Sequence, residues 1–377
     1  MNSPFQYGRL AAGTTFVSRQ LEKQQLIVNL SSGTNTIIIS PRRCGKTSLV
    51  KEAMSELIKE HLDISVCYID AFKVRNEHEF YMLYVKEIIK STSATPESFI
   101  LTAKEFLGDV APRFSTGSDT ENDFTIELEQ NLTKGNETYI LDLPERIADK
   151  TGMRIIVCVD EFQNLARLKE FPDLEYKIHR AWQRHLKVNF CLSGSKRQVM
   201  GEIFNTPQNP FYQFGETILL PKVDENEWIQ YIIDLYKRTG KSISKLVATE
   251  LVQKVKCHTW YVPQYAHFAW ILTSNNTTDN ILYEAFTQLV NTNLPLYKRE
   301  CEAMTSSQLS LLIAIANNEK AFTSTAVMQT YGLGTPQNVS KNKELLQRRD
   351  LVEKTTEGFV FLDPVFELWF TAEYLHK

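Results

Sequence analysis

Residues 37–50 read Ile37-Ile38-Ile39-Ser40-Pro41-Arg42-Arg43-Cys44-Gly45-Lys46-Thr47-Ser48-Leu49-Val50. The apolar, β-branched residues at the start predict a short strand that is buried on both faces. The apolar residues after Lys46 recur at helical spacing as far as Ile58, so they predict an amphipathic helix. The stretch is therefore a strand, a loop and the first turns of a helix, in the order that phosphate-binding loops require.

The loop ends in Gly45-Lys46-Thr47, the core of a Walker A motif, which predicts a bound nucleoside triphosphate. Backbone N–H groups of the loop and of the helix N-terminus would face its phosphates. Lys46 would bridge the β- and γ-phosphates as a catalytic residue, and the Thr47 hydroxyl would be a ligand of Mg²⁺. The predicted nucleotide contacts in this loop are Pro41, Arg42, Arg43, Cys44, Gly45, Lys46, Thr47 and Ser48.

One position departs from this motif, because Ser40 stands where the motif has its first glycine. Position 40 lies at the exit of the strand, farther from the phosphates than Gly45, so we expect a small residue to suffice there. The alternative interpretation is a Gly-Lys-Thr sequence that begins a helix by chance.

A second apolar strand, predicted from Arg154 to Val159, ends in two adjacent carboxylates, Asp160 and Glu161. In a parallel sheet the C-terminal end of a strand lies at the edge where ligands bind. Asp160 is then placed to hold Mg²⁺ through water, and Glu161 to orient and polarise the attacking water as a catalytic residue. The alternative interpretation is a solvated pair of acidic residues.

Five short apolar runs with long connections between them predict an α/β fold with a parallel P-loop NTPase sheet. The predicted strands are Thr36–Ile39, Ile64–Ile69, Arg154–Val159, Val188–Leu192 and Thr217–Leu220. Residues 1–221 would form this nucleotide-binding domain, with a helical insertion at about 71–150 that includes an exposed turn at 115–120. Helical patterning predicts a lid domain at 222–297. Three short helices and a β-hairpin predict a winged helix at 298–377.

The composition excludes several classes of protein. The net charge of −3 and the sequence pI of about 6.2 argue against non-specific binding to nucleic acid or anionic membranes. The six cysteines include no C-x-x-C pair, so neither a disulfide framework nor a zinc site is expected. No signal peptide is visible, and no apolar stretch approaches the roughly 20 residues that span a bilayer. We therefore expect a cytoplasmic protein with no membrane partner.

Four segments are similar to motifs of known ATPases. They are Phe16-Val17-Ser18-Arg19-Gln20-Leu21-Glu22, the phosphate loop from Pro41 to Leu49, Val159-Asp160-Glu161-Phe162-Gln163 and Phe190-Cys191-Leu192-Ser193-Gly194-Ser195. Together they resemble an archaeal-type ATPase family, over about residues 16–220 and more loosely beyond. That family belongs to the STAND branch of AAA-like P-loop NTPases and is related to origin-recognition ATPases. The resemblance implies an ATP-binding domain, a helical lid and a C-terminal winged helix.

The resemblance also implies roles for residues outside these two central motifs. Three residues would line the adenine side of the nucleotide, namely Phe16, Val17 and Arg19. Ser193 would be a catalytic sensor near the γ-phosphate, the alternative being a capped strand end. In the lid, Pro263 would contact adenine within a G-x-P motif, although Tyr261 stands at the glycine position, and the alternative is a proline that begins a helix. The prediction that the base is adenine rests on the resemblance. The N-K-x-D motif that recognises guanine is not found in the sequence.

Relatives in this family often carry an arginine after a P-[FL]-Y sequence, where it would reach the γ-phosphate. Here Gln213 follows Tyr212, so that arginine is missing. The candidate substitutes, in cis or from a neighbouring subunit, are Arg180, Arg184 and Arg197. The alternative is that each is an ordinary surface or ion-pair residue. Because such arginines are worth roughly 10³–10⁵ in rate, we expect slow ATP hydrolysis that drives a conformational switch. The alternative is a nucleotide-gated binding module with little turnover.

The predicted winged helix is a candidate DNA-binding unit, with residues 335–349 as its recognition helix. Residues 301–377 hold seven Lys or Arg against nine Asp or Glu, a net charge of −2. Because affinity for DNA grows with the number of cations brought to the phosphates, contact with an unknown protein partner, or packing on the lid within the chain, is favoured over DNA. If DNA is bound, the residues expected to reach base edges are Asn338, Ser340 and Asn342, the alternative being ordinary residues of a helix surface.

Overall fold

The structure is a computed structural model that describes residues 2–8, 17, 19–108, 113–116, 124–128 and 134–375. It divides into two compact units, of which the first is Leu10–Pro221 and the second is Lys222–Lys377 together with Met1–Arg9. The first unit contains the phosphate loop and the acidic pair at 160–161, and the second contains the predicted lid and winged helix. None of the helices in the described part of the chain is both long and apolar enough to span a bilayer.

The first unit is built on a parallel sheet. Its strands are β1 (Thr36–Ile39), β2 (Ile64–Asp70), β3 (Arg113–Thr116), β4 (Phe124–Glu127), β5 (Arg154–Asp160), β6 (Val188–Gly194) and β7 (Glu216–Leu219). Five of them pair in parallel in the order β2-β5-β6-β1-β7, which confirms the predicted α/β class and the five predicted strands. All residues of β1 and β6 are buried, which explains why most of their residues are apolar.

Helices cover both faces of this sheet. They are α1 (Gln20–Ser31), α2 (Lys46–Glu60), α3 (Glu77–Ser91), α4 (Pro96–Leu107), α5 (Lys134–Leu141), α6 (Leu143–Thr151), α7 (Phe171–Trp182) and α8 (Arg197–Asn205). Since successive strand residues face opposite sides, Ile155 and Val157 join the core that includes residues of α3 and α7. Ile156 and Cys158 join the other core, with residues of α1 and α2. This two-sided packing fixes which residues β5 and β6 present at their C-terminal ends.

The insertion at 71–150 contains the helices α3 to α6 and an antiparallel pair of β3 with β4. The pair differs from the exposed turn expected at 115–120, because Ser115 and Thr116 belong to β3. Residues 117–120 lie outside the described residues. Helix α3 lies against both β2 and β4, so the insertion packs on the outer strand of the sheet.

The second unit is helical apart from one β-hairpin. Its elements are α9 (Glu225–Arg238), α10 (Lys245–Lys254), α11 (Tyr261–Leu272), α12 (Asp279–Glu302), α13 (Ser306–Ala316), α14 (Thr325–Tyr331), α15 (Pro336–Arg348), β8 (Val352–Thr355), β9 (Gly358–Phe361) and α16 (Pro364–Tyr374). The elements from α13 to β9 are three helices followed by a β-hairpin, which is the element order of a winged helix. The expected boundary between 297 and 298 falls inside α12, which is continuous across it. Separate lid and winged-helix domains therefore stay a prediction.

Candidate functional site

The phosphate loop runs from the end of β1 to the start of α2. Gly45 directly precedes α2 with a φ of +82°, a left-handed conformation that glycine adopts without steric cost. Ser40 is fully buried, and its N–H donates to the carbonyl oxygen of Gly194 at 3.2 Å. Its hydroxyl donates to the carbonyl oxygen of Pro41 at 3.1 Å. The loop thus accommodates a serine at the first glycine position of the motif.

Four predicted site residues meet where the C-terminal ends of β5 and β6 reach the start of α2. The Lys46 ammonium contacts the Asp160 carboxylate and lies 3.3 Å from the Ser193 hydroxyl. The Thr47 hydroxyl donates to Asp160 Oδ2 at 2.7 Å. The Ser193 hydroxyl donates to Asp160 Oδ1, also at 2.7 Å. The structure therefore brings Lys46, Thr47, Asp160 and Ser193 into one cluster.

The Asp160 carboxyl is negatively charged in this cluster. Burial raises its pKa, but the Lys46 ammonium and hydrogen bonds from Lys46, Thr47 and Ser193 outweigh burial. The pKa of Asp160 consequently lies below its usual value of 3.8. A carboxylate that stays ionised at neutral pH supplies the hard oxygen that Mg²⁺ prefers.

The Thr47 and Asp160 pair fits a Mg²⁺ ion that is shared with nucleotide phosphates. In the described ranges no group of three or more His, Cys, Asp or Glu side chains is arranged to cage a metal. Mg²⁺ instead commonly takes one or two protein oxygens together with substrate phosphates and water. The Thr47 hydroxyl and the Asp160 carboxylate, 2.7 Å apart, would together hold such an ion, Thr47 as a ligand and Asp160 through water.

Glu161 lies beside the cluster, held by two residues for which the sequence suggested no role. Its Oε2 accepts hydrogen bonds from Ser195 Oγ at 2.7 Å and from Gln163 Nε2 at 2.5 Å. Its Oε1 lies 3.5 Å from Lys46 Nζ. Ser195 and Gln163 both occur in segments that resemble the ATPase family, and their presence in those motifs is the signal that would have identified them.

The residues predicted to contact adenine come from both units of the chain. Phe16 lies outside the described residues, and Val17 is half-buried. Arg19 is buried and its Nη2 donates to the carbonyl oxygen of Cys44 at 2.9 Å, so it holds the phosphate loop. Pro263 is the third residue of α11, in the second unit, and its contact with adenine stays a prediction.

The three arginines considered as substitutes for the missing one have different positions. Arg184 forms a 2.9 Å ion pair with Asp142 and precedes β6, so it lies toward the edge of the sheet opposite the cluster. Arg180 is exposed on α7. Arg197 is exposed at the first residue of α8, two residues after Ser195. Along the chain, Arg197 is the nearest of the three to the cluster.

Two cations of the candidate recognition helix have partners within the second unit. Lys343 Nζ lies 4.6 Å from the ring centre of Phe322 and 5.3 Å from that of Phe359, a cation–π arrangement. Arg349, at the C-terminal end of α15, forms a 2.7 Å ion pair with Glu300. Both contacts reduce the positive charge that the helix offers to a phosphate backbone.

The polar residues of this helix lie on two different faces. Asn342 is buried and donates to the Ser307 hydroxyl at 3.2 Å, so the expectation that it would reach a base edge is wrong. It shares the buried face with Val339 and Leu346, three residues before it and four after it. The residues that remain exposed are Asn338 and Ser340.

Two family models match the chain. The first, described as an ATPase domain predominantly from Archaea, matches residues 16–205, which is 190 of the 377 residues. The second, described as a probable winged helix domain, matches residues 295–372. A search of curated proteins gave no significant match.

Solved structures share the fold at low sequence identity. A Walker-type ATPase of Pyrococcus abyssi is 14% identical with a TM-score of 0.67, covering 97% of this chain and 99% of its own. The ORC2 protein of Aeropyrum pernix, in ADPNP and ADP complexes, is 16% identical with a TM-score of 0.59, covering 98% of each chain. The ORC1 protein of the same organism, in complex with DNA, is 12% identical with a TM-score of 0.51, covering 96% and 94%. The family model spans half of the chain, the sheet is parallel, and Asp160 and Glu161 lie at the phosphate loop. The chain therefore belongs to the family of ATPase domains found predominantly in Archaea.

Proposed function

We propose that this protein hydrolyses ATP slowly, with Mg²⁺, and uses the change from bound ATP to bound ADP as a conformational switch. The observation that carries the proposal is the convergence of Lys46, Thr47, Asp160 and Glu161 at one edge of the sheet. A phosphate loop alone binds a nucleotide. The second carboxylate, Glu161, adds a group that can polarise water for attack on a phosphate.

Each of these residues has a distinct role. The loop N–H groups and Lys46 bind the phosphates at the positive end of the α2 dipole. Thr47 and Asp160 hold Mg²⁺, which, when bound, neutralises charge that develops on the phosphates. Ser193, with its hydroxyl 3.3 Å from Lys46 Nζ, senses the γ-phosphate. Glu161 orients the attacking water and accepts its proton.

Slow turnover follows from the residue at position 213. Gln213 is exposed beside Tyr212, at the position where the resemblance implies that relatives often carry an arginine, and a neutral amide does not stabilise charge on a transferring phosphoryl group. Arg184 is paired with Asp142, which leaves Arg180, Arg197 or an arginine from a neighbouring subunit as the proposed substitute. We expect turnover well below the roughly 1–100 per second that is typical of protein kinases.

Comparing the wild type with Glu161→Gln tests hydrolysis. The variant should bind Mg·ATP as tightly as the wild type, while its turnover should fall by about 10²-fold or more, the typical contribution of a general base. Glu170→Gln, which changes an exposed carboxylate at the start of α7, is the matched control and should leave turnover unchanged. Equal turnover of Glu161→Gln and the wild type would contradict the proposal.

The second candidate function is a nucleotide-gated binding module with little turnover, and Gln213 is the observation that favours it. Its partner would bind the second unit. The ORC1 relative was solved with DNA, but here Lys343 and Arg349 are engaged within their own unit, so we favour a protein partner. A titration with duplex DNA at low salt, with and without ATP, should show only weak binding. Tight binding that depends on ATP would instead support the DNA-binding alternative.

Adenine specificity and the lid belong to the same proposal. Residues 1–221 would bind the nucleotide, with Phe16, Val17 and Arg19 on the adenine side. Residues 222–297 would close over it through Pro263, and the winged helix at 298–377 would transmit the change to a partner. Titration with Mg·GTP beside Mg·ATP checks the base: ATP should bind at least about tenfold more tightly, a difference of about 1.4 kcal/mol.

A further inference from the structure

A buried pair of side chains, Ser195 and Gln163, grips one oxygen of Glu161; we call this pair the Glu161 clamp. Ser195 Oγ and Gln163 Nε2 both donate to Oε2, at 2.7 and 2.5 Å. Gln163 Nε2 also lies 3.3 Å from Ser195 Oγ, so the three side chains form a closed set. Such charge-assisted hydrogen bonds are shorter and stronger than neutral ones.

The clamp is built into the protein interior. Gln163 is 1% exposed and Ser195 is 8% exposed. Gln163 Oε1 accepts the backbone N–H of Ser195 at 3.2 Å, which turns the amide so that its NH₂ group faces Glu161. Both ends of the Gln163 amide are therefore satisfied, and the side chain has one orientation.

Gly194 provides the space in which the clamp fits. A Cβ atom at this position would lie 2.5 Å from Gln163 Oε1 and 2.4 Å from Met200 Sδ, distances that real Cβ atoms do not adopt. The glycine in the Ser193-Gly194-Ser195 segment is thus explained by the close approach of Met200 and Gln163. Strand pairing adds to this, because β5 and β6 run in parallel with Val159 opposite Leu192, so their next residues emerge side by side.

The backbone of Glu161 also requires support from its surroundings. Its φ of +53° is left-handed, an uncommon conformation for a residue with a side chain. Strained conformations of this kind persist when neighbouring groups fix them, and they cluster at functional sites. Here the Glu161 N–H donates to Asp160 Oδ1 at 2.9 Å and its carbonyl oxygen accepts the N–H of Asn164 at 2.9 Å, while the two donors on Oε2 hold the side chain.

We propose that Ser195 and Gln163 are positioning residues that aim Glu161 at the attacking water. The clamp occupies Oε2, whereas Oε1 is the oxygen nearer Lys46, at 3.5 Å from Nζ, and so faces the phosphate side. This inference rests on the proposed ATPase function and adds two residues to it. Because a displacement of about 1 Å can cost about 10²-fold in rate, loss of the clamp should slow the chemical step and leave nucleotide binding intact.

The test compares the full-length wild type with Ser195→Ala in single-turnover hydrolysis and in Mg·ATP binding. We expect the rate to fall about 10- to 100-fold, with an unchanged Kd, and Ser195→Thr, which keeps the hydroxyl, to recover most of the rate. Ser65→Ala is the matched control. Ser65 is also 8% exposed and donates a 2.8 Å hydrogen bond to the Ser91 carbonyl, away from the site, so its loss should not change the rate.

A double variant separates positioning from a general structural effect. Once Glu161→Gln has removed the base, adding Ser195→Ala should cause no further loss of rate. If Ser195→Ala does not fold, Gln163→Met removes the other donor of the clamp and should give the same loss of rate without loss of binding. An unchanged rate in Ser195→Ala, or equal losses in the presence and absence of Glu161, would overturn the inference. Failure of the ATPase proposal would give a different result, because the hydrolysis rate of Glu161→Gln would then equal that of the wild type.

Discussion

The hydroxyl of Thr47, at the start of α2, donates a 2.7 Å hydrogen bond to Oδ2 of Asp160, at the end of β5, across 113 residues of sequence. Two oxygens that belong to different motifs are thereby joined at the place where a phosphate-bound metal would lie. The contact also contributes to the low pKa of Asp160. It gives the site a preformed pair of hard oxygen donors.

Replacing Thr47 should therefore change the requirement for Mg²⁺. We expect Thr47→Ala to raise the Mg²⁺ concentration needed for half-maximal ATP binding by about tenfold, within the range typical of lost metal-site contacts. Thr47→Ser retains the hydroxyl and should behave like the wild type. Titration of Mg²⁺ at fixed ATP measures this. Equal Mg²⁺ dependence of the alanine variant and the wild type would argue against Thr47 as a ligand.

Arg19 should matter through the phosphate loop, since its guanidinium donates to the Cys44 carbonyl at 2.9 Å. We expect Arg19→Ala to weaken Mg·ATP binding by about tenfold, or about 1.4 kcal/mol, because the loop loses this support. Lys23→Ala is the control: Lys23 lies in α1, four residues after Arg19, but pairs with Glu56, and its loss should leave binding unchanged. If both variants bind like the wild type, Arg19 does not hold the loop in a way that binding requires.

Glu175, on α7, should make stability depend on pH. It is 8% exposed, and its Oε1 has no hydrogen-bond partner among the described residues. Burial raises the pKa of Glu175 to about 7 from an ordinary 4.5. Because its folded-state pKa is raised, the carboxyl contributes stability below about pH 4.5 that is lost as the pH rises through 7.

Glu175→Gln, which stays neutral, should accordingly stabilise the protein at pH 8 by at most about 3 kcal/mol. The gain should be much smaller at pH 5, where the wild-type carboxyl is already protonated in the folded protein. Glu170→Gln, at an exposed position, should show no such difference. Urea unfolding at both pH values measures the effect, and a gain that is equal at pH 5 and pH 8 would contradict it.

Tyr261 should stabilise the second unit. Its hydroxyl is buried, donates to the Asp363 carboxylate and lies 3.0 Å from the Tyr297 hydroxyl. Asp363 also accepts the first N–H groups of α16, so the contact connects α11 with the N-terminus of that helix. We expect Tyr261→Phe to cost about 1.5–3 kcal/mol, the range for hydrogen bonds to charged groups.

The thermal unfolding midpoint checks this expectation, with a decrease on the order of 5 °C for Tyr261→Phe. Tyr283→Phe is the control, because Tyr283 is 75% exposed and should be neutral. An unchanged unfolding midpoint of Tyr261→Phe would mean that the hydrogen bonds of this hydroxyl do not contribute to stability.

The parallel strands and the phosphate loop were predictable because their sequences carry the physical cause directly. β1 and β5 are continuous apolar runs, since both faces of the sheet are covered. The pair of β3 with β4 was not predictable in the same way. Each strand has only four residues, so neither shows a period long enough to distinguish a strand from a turn.

The clamp around Glu161 was not predictable because it depends on the strand order. Ser195 follows β6 and Glu161 follows β5, and their contact requires those two strands to be neighbours. Long crossover connections do not specify that order. Asn342, by contrast, was open to a better interpretation, since it lies three residues after Val339 and four before Leu346 on one face of a helix.

The central claim is that a nucleoside triphosphate binds between the start of α2 and the acidic C-terminal end of β5. Calorimetric titration of the wild type and of Lys46→Ala with Mg·ATP tests this claim. The wild type should bind, and the variant should lose at least about tenfold in affinity, since a charge-assisted contact is worth about 1.5–3 kcal/mol. An identical titration curve for the two proteins would contradict the account.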